Sequence, residues 1–153
     1  MSDTTNLLIF HLDSVRYAIS LSGVERVTHA VEVTHLPSLT GNISGIINIH
    51  GLIVPVINTR RMMGLPERKM TPDDIFIIAH TTWRTVALIA DTVEQAVLMP
   101  EDRITTTDRL LPEFNSLTGI ARLENGIILI HDLEACISAE EARIIDSVLD
   151  KEL

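Results

Sequence analysis

The sequence predicts an all-β fold made of two small units, closed by one C-terminal helix. Three observations carry the prediction. Short apolar segments, alternating or continuous, are separated by turn signals. Two stretches of chain repeat each other at a fixed spacing. Only one segment, near the C-terminus, combines a helix cap with helical periodicity.

The elements follow in order. Leu7-Leu8-Ile9-Phe10 is an apolar run. Val15, Tyr17 and Ile19 then alternate with Arg16, Ala18 and Ser20, as in a half-buried strand. Residues 45–49 and 52–57 flank His50-Gly51, which reads as a hairpin with Gly51 supplying the positive φ of a tight turn. Pro55 has no amide donor, so it is expected at a bulge or on the open side of an edge strand. Residues 74–80 and 85–91 form a second hairpin around Thr81-Thr82-Trp83-Arg84. Residues 117–123 and 127–131 form a third, with Asn125-Gly126 as its turn. Residues 59–63, ended by Gly64 and Pro66, predict one or two helical turns. Ser138 with Glu141 makes a capping box, and Ala142, Ile145, Val148 and Leu149 then share one helix face. That face is expected to pack on the body of the protein.

The repeat is visible in four pairs of segments. Gly45-Ile46-Ile47-Asn48-Ile49 is echoed 74 positions later by Gly119-Ile120-Ala121-Arg122-Leu123. Ile57-Asn58-Thr59-Arg60 is echoed at the same offset by His131-Asp132-Leu133-Glu134. Val15-Arg16-Tyr17-Ala18 faces Trp83-Arg84-Thr85-Val86 at 68, and Val24-Glu25-Arg26-Val27 faces Val93-Glu94-Gln95-Ala96 at 69. The added length fits the polar loop from 100 to 115. A unit of about 70 residues buries little core alone. Two such units packed together bury more, and the seam between them is where a binding groove is expected.

Composition narrows the function. The 153 residues are 46% hydrophobic and 22% charged, the balance of a folded chain. A net charge of −9 argues against nucleic acid and anionic membrane surfaces as partners. Aromatics are 3%, too few for a base-stacking platform, so the core must be aliphatic. The lone Cys136 offers no internal disulfide, the N-terminus lacks a basic signal-peptide region, and no apolar run nears the roughly 20 residues of a membrane helix. The chain is expected to be cytoplasmic, without direct membrane insertion.

Catalytic signatures are missing. There is no phosphate-binding glycine loop, and the serine of Gly41-Asn42-Ile43-Ser44-Gly45 is one place late for a nucleophile elbow. The histidines at 11, 29, 35, 50, 80 and 131 lack metal-ligand spacing. His131-Asp132 reads as a solvated loop pair, and Cys136 as a buried, inert thiol. No catalytic residue, metal or cofactor is expected. Arg60-Arg61, ahead of Met62-Met63, would ordinarily be a solvated face. In an acidic chain it is also a candidate contact for a carboxylate-bearing partner.

The run Gly45-Ile46-Ile47-Asn48-Ile49-His50-Gly51-Leu52-Ile53-Val54-Pro55-Val56-Ile57-Asn58-Thr59-Arg60 resembles the signature of CheW-like domains, G-V-V-N-L-R-G-x-I-V-P-V-I-D-L-R. The resemblance continues through Met63-Gly64-Leu65, Leu88-Ile89-Ala90-Asp91-Thr92-Val93, Leu117-Thr118-Gly119-Ile120-Ala121 and the strand ending Ile130-His131-Asp132-Leu133-Glu134. It implies a double five-stranded SH3-like barrel over 6–148, with subdomains 14–82 and 83–137, strand 6–13 packing on the second, and a C-terminal helix over 138–153. It marks Gly45, Asn48, Gly51, Pro55, Asn58 and Gly119 as signature positions.

The same resemblance implies a non-enzymatic adaptor of chemotaxis, recruited to membrane receptor arrays. It would couple the cytoplasmic tip of chemoreceptors to the regulatory domain of a CheA-type histidine kinase. Val24, Arg26, Val27 and His50 fall at the implied receptor groove. Arg60, Met62, Met63 and Leu65 are the candidate kinase contacts. Two departures stand out: His50 replaces the usual Arg, and Asn58-Thr59 replaces Asp-Leu. Loss of the Asp charge would remove any ion pair made there. Two alternatives are a CheW-like scaffold of another chemosensory pathway, such as twitching motility or surface sensing, and a small-molecule sensor module.

Overall fold

The computed structural model of the chain describes residues 3–36, 41–106 and 117–152. Its strands are β1 (Thr4–Leu12), β2 (Val15–Ser20), β3 (Val24–His29), β4 (Ile43–Ile49), β5 (Leu52–Ile57), β6 (Ile75–His80), β7 (Thr85–Ala90), β8 (Thr92–Pro100), β9 (Ile104–Thr106), β10 (Leu117–Leu123) and β11 (Gly126–His131). Two α-helices accompany them, α1 (Thr59–Met62) and α2 (Ala139–Glu152). One sheet has six strands in the order β8-β1-β2-β11-β10-β9, and the other five in the order β3-β6-β7-β5-β4.

The repeat becomes a repeat of hydrogen-bond register. In the β4–β5 hairpin Ile43 lies opposite Ile57, and after a bulge Gly45 opposite Val56, Ile46 opposite Pro55 and Ile47 opposite Val54. Adding 74 to each number yields the β10–β11 hairpin pair for pair, with its bulge between Leu117 and Gly119. β4 and β10 even share one burial pattern. The parallel pairings match as well: Val56 faces Ala87, and Ile130 faces Ala18. The sixth strand, β9, puts Thr105 opposite Ile120; at the matching place in the other sheet the described residues make the single bridge of Thr34 to Ile46. The count of six against five therefore reflects how far one crossing segment follows its neighbour.

Sheet membership divides the chain differently from 14–82 and 83–137. One compact unit holds residues 1–24 and 90–136, the other 25–89 and 137–153. The parallel pairs are the reason: β2 joins β11, and β7 joins β5. Each unit has an aliphatic core. Leu7, Ile9, Ala18, Met99, Ala121, Ile128 and Ile130 form one. Ile47, Val54, Val56, Phe76, Ile78 and Ala87 form the other. A fully buried side chain of this size stabilises by roughly 1.5–3 kcal/mol.

Local chemistry explains the turns. His50 at φ 51° and Gly51 at φ 88° form the two-residue loop of the first hairpin, with Asn48 Oδ1 accepting from the Gly51 amide at 2.7 Å. In the third hairpin the loop is Glu124-Asn125, because Gly126, at φ 149°, already pairs with Leu123 as the first residue of β11. Pro55 sits neither at an edge nor at a bulge. It lies inside β5, between β4 and β7, and is tolerated because the parallel ladder with β7 begins one residue later, at Val56. Ser138 Oγ accepts from the Glu141 amide at 3.1 Å, and Glu141 Oε1 accepts from the Ser138 amide at 3.2 Å, completing the capping box. Ile145 and Leu149 are buried, and Asp146 accepts from Trp83 Nε1 at 3.0 Å and from Arg84, so the helix stripe packs on its own unit.

Gly45 and Gly119 mark close crossings. A Cβ on Gly45 would collide with the Thr34 carbonyl oxygen and come within 2.8 Å of Val33 Cγ1. On Gly119 it would lie 2.9 Å from Ile104 Cγ2 and 3.3 Å from the Thr105 carbonyl oxygen. Gly45→Ala should destabilise by about 1–3 kcal/mol, the range of an overpacked core. Gly119→Ala should lose less, because its nearest obstacle is a side-chain methyl. Urea unfolding of the three proteins checks both; an unchanged midpoint for Gly45→Ala would refute the close crossing.

His131 is buried, with its ring 5.6 Å from that of Tyr17, and burial pushes its pKa down to about 4. The dipeptide His131-Asp132 is thus not a solvated pair. An unfolded histidine titrates near 6.5. Between those values the unfolded chain holds more protons at this site, so stability present above about pH 6.5 is lost as pH falls towards about 4. The slope from this residue is at most about 1.4 kcal/mol per pH unit. Denaturation of the parent and of His131→Phe at pH 7 and pH 5 should show a smaller pH loss in the variant.

Candidate functional site

Val24, Arg26 and Val27 lie on β3, an edge strand of the five-stranded sheet. Val24 is half-buried, while Arg26 and Val27 are exposed, Val27 at 42%. Glu25 sits 3.9 Å from Arg26 and 3.8 Å from His80, so the outer face of this strand mixes apolar and charged groups. His50 is exposed at the β4–β5 tip, and β4 is the opposite edge of the same sheet. In strand order these are the two ends of the sheet, and the chain leaving β3 returns to β4 through the Thr34–Ile46 bridge.

The second candidate group gathers around α1. Asn58 is its N-cap, with Oδ1 accepting from the Arg61 amide at 3.0 Å. Asn58 Nδ2 donates to Glu67 Oε1 at 2.7 Å, and Arg61 reaches the same oxygen at 2.8 Å. The hydrogen bonds from Arg61 and then Asn58 hold the Glu67 carboxyl below its usual range. An aspartate at 58 could cap the helix equally well but could not donate to Glu67. The charge missing at 58 is therefore matched by an acceptor nine residues on. Thr59 is buried. Its Oγ1 donates to the Ile57 carbonyl at 3.3 Å and accepts from the Ile89 amide at 2.9 Å, tying α1 to β7. Gly64, at φ 74°, ends the helix with its amide 3.1 Å from the Arg61 carbonyl.

The basic pair splits, Arg60 turning inward while Arg61 stays exposed but engaged. Arg60 is buried and donates to the Pro66 carbonyl, and Arg61 is engaged by Glu67 and by the Gly41 carbonyl. Arg68 is likewise bound, 2.7 Å from the buried Asp74 carboxylate. Met62, Met63 and Leu65 are half-buried around the same turn. The remaining signature positions are accounted for by backbone geometry. Gly45 and Gly119 permit close crossings, Asn48 and Gly51 are joined across the hairpin tip, and Pro55 directly precedes the parallel ladder that starts at Val56.

Reactive groups are held in quiet environments. Cys136 is buried, and burial, with the nearby Asp132 and Glu134 charges, pushes its thiol up to about 12. Its Sγ donates to the Asp132 carbonyl oxygen at 3.4 Å. Asp132 Oδ1 accepts from the Glu134 amide at 3.0 Å, capping a 3-10 turn two residues on, where Asn58 caps α1 three residues on. Among the described residues no group of three or more His, Cys, Asp or Glu side chains could hold a metal, and no helix is long and apolar enough to cross a membrane. Sequence reasoning missed the Asn58–Glu67–Arg61 cluster. The available signal was an N-cap residue facing an acid just beyond a glycine-ended turn.

The fold and its signature turn have counterparts among known proteins. A family model described as the CheW-like domain matches residues 6–141. The chemotaxis protein CheW of Klebsiella aerogenes is 26% identical over 147 residues, covering 92% of this chain and 86% of that one. The chemotaxis protein CheW of Bacillus subtilis is 26% identical over 139 residues, covering 90% and 89%. The crystal structure of the scaffolding protein TtCheW from Thermoanaerobacter tengcongensis matches with a TM-score of 0.80 at 25% identity, covering 92% of this chain and 96% of that one. With its two register-matched sheets and a family match from residue 6 to residue 141, the chain belongs to the CheW-like domain family.

Proposed function

We propose that the chain is a non-enzymatic scaffold of chemotaxis that couples the cytoplasmic tip of chemoreceptors to the regulatory domain of a CheA-type histidine kinase. The observation that supports it most is the family match across nearly the whole chain. The quiet environments of Cys136 and His131 agree with a role in binding rather than catalysis. Receptor contact is assigned to β3, through Val24, Arg26 and Val27, and to the tip residue His50. Kinase contact is assigned to the α1 turn, through Met62, Met63 and Leu65. Arg60, being buried, serves that surface by fixing the turn from inside. The substitution of His50 for arginine favours a second reading, a scaffold of the same class in another chemosensory pathway. Histidine lacks the planar fork of arginine, so apolar contact must dominate recognition.

Pull-down with the regulatory domain of a CheA-type kinase from the same cell tests the kinase half; no capture would refute it. For the receptor half, calorimetry with a receptor-tip fragment separates the candidates. His50→Ala should lose less than about 1 kcal/mol, the scale of one neutral hydrogen bond. Val27→Glu should lose far more, because binding would desolvate the new charge. Val27 is already exposed, so this variant should melt like the parent. Parent-like affinity of the folded Val27→Glu variant would place any receptor contact elsewhere.

A further inference from the structure

Two matching sheet edges end differently. β10 is covered by β9, with Thr106, Thr105 and Ile104 opposite Gly119, Ile120 and Ala121. On the matching edge, β4, the one bridge among the described residues is that of Thr34 to Ile46. Thr34 and Ile46 exchange both main-chain bonds, each 2.9 Å. Main-chain groups of an antiparallel strand face alternate sides, so Ser44 and Asn48 point the same way as Ile46. The Ser44 carbonyl lies 2.8 Å from His35 Nδ1. At Asn48 no described strand continues the ladder.

Beyond that bridge an open cleft of about 410 Å³ is lined by Val31, Glu32, Thr34, Ile46, Asn48 and Ile53 among others. Val31 is 41% exposed, and Leu52, on the adjoining hairpin, 52%. An open edge beside alternating apolar side chains is the ground plan for strand addition. The charge pattern selects the guest. Among the described residues Glu32 is the only charged one lining the cleft, and it has no ion-pair partner there. A second copy would bring another Glu32 and another net charge of −9 to the same place.

We propose that the β4 edge receives an extended, basic segment of a partner protein as an added antiparallel strand beside Asn48, with a lysine or arginine reaching Glu32. This goes beyond the coupling role, since neither β3 nor the α1 turn takes part.

The test uses a labelled nine-residue peptide alternating threonine and valine, with a lysine at each end. Two controls are the same peptide with glutamate ends and one N-methylated at alternate amides. Anisotropy should show binding of the lysine-ended peptide only. Hydrogen exchange should show slowing at the Asn48 amide. Glu32→Lys, at an exposed position, should weaken binding roughly fivefold, as for a modest surface ion pair reversed. No binding, equal binding of the N-methylated peptide, unchanged exchange at Asn48, or indifference to Glu32→Lys would each overturn the proposal. So would sedimentation of the peptide-free chain as a dimer that Glu32→Lys alters, since the edge would then belong to a second copy.

Discussion

Two short parallel pairings carry the architecture: Val56 and Ile57 with Ala87 and Leu88, and Leu129 and Ile130 with Tyr17 and Ala18. A parallel pair cannot be made by a tight turn, so its partners must come from distant parts of the chain. β2 is carried to β11 and β7 to β5, and the two compact units follow from that exchange. The hairpins then complete each sheet locally. Because these contacts span long loops, they are also the entropically expensive part of folding.

The α1 turn shows how a departure from a family pattern can be absorbed within a few residues. Asn58 in place of an aspartate retains the cap and gains a donor, which Glu67 accepts. Thr59 in place of a leucine gives up apolar surface, but its hydroxyl joins the amide of Ile89 to the carbonyl of Ile57. Both changes keep α1 anchored. They alter what lies beneath the surface around Met62, Met63 and Leu65 rather than removing it. The departure at His50 is different in kind, since the side chain is exposed at a hairpin tip and its change is presented to a partner directly.

Binding, in this molecule, is a matter of edges. β3 and β8 end their sheets with mostly exposed residues, while β4 ends one beside a cleft. An exposed edge must be protected or used. Glu94 on β8 suits protection, whereas Glu25 and Arg26 on β3 flank the exposed Val27 of the proposed receptor contact. The β4 edge, with Asn48 and Glu32, suits use.

Much of this was legible in the residues themselves. Alternation, turn residues and the capping box placed the hairpins and α2, because those signals act over a few neighbouring positions. The 74-residue offset anticipated the shared register of β4–β5 and β10–β11, because a repeated sequence presents the same side chains to the same pleat. The family signature marked Gly45 and Gly119, and the crossings over them supplied the reason. Distance along the chain hid the rest. Nothing near Pro55 shows that its neighbour in the sheet begins a ladder one residue later, and nothing near Arg60 shows that it turns inward. The split into 1–24 with 90–136 and 25–89 with 137–153 arises from parallel pairs between segments about 30 to more than 110 residues apart, which no local pattern encodes. Which edge is covered and which is left open was settled only when the crossing segments packed, since three residues of β9 follow β10 where, among the described residues, Thr34 alone bridges β4 from that side.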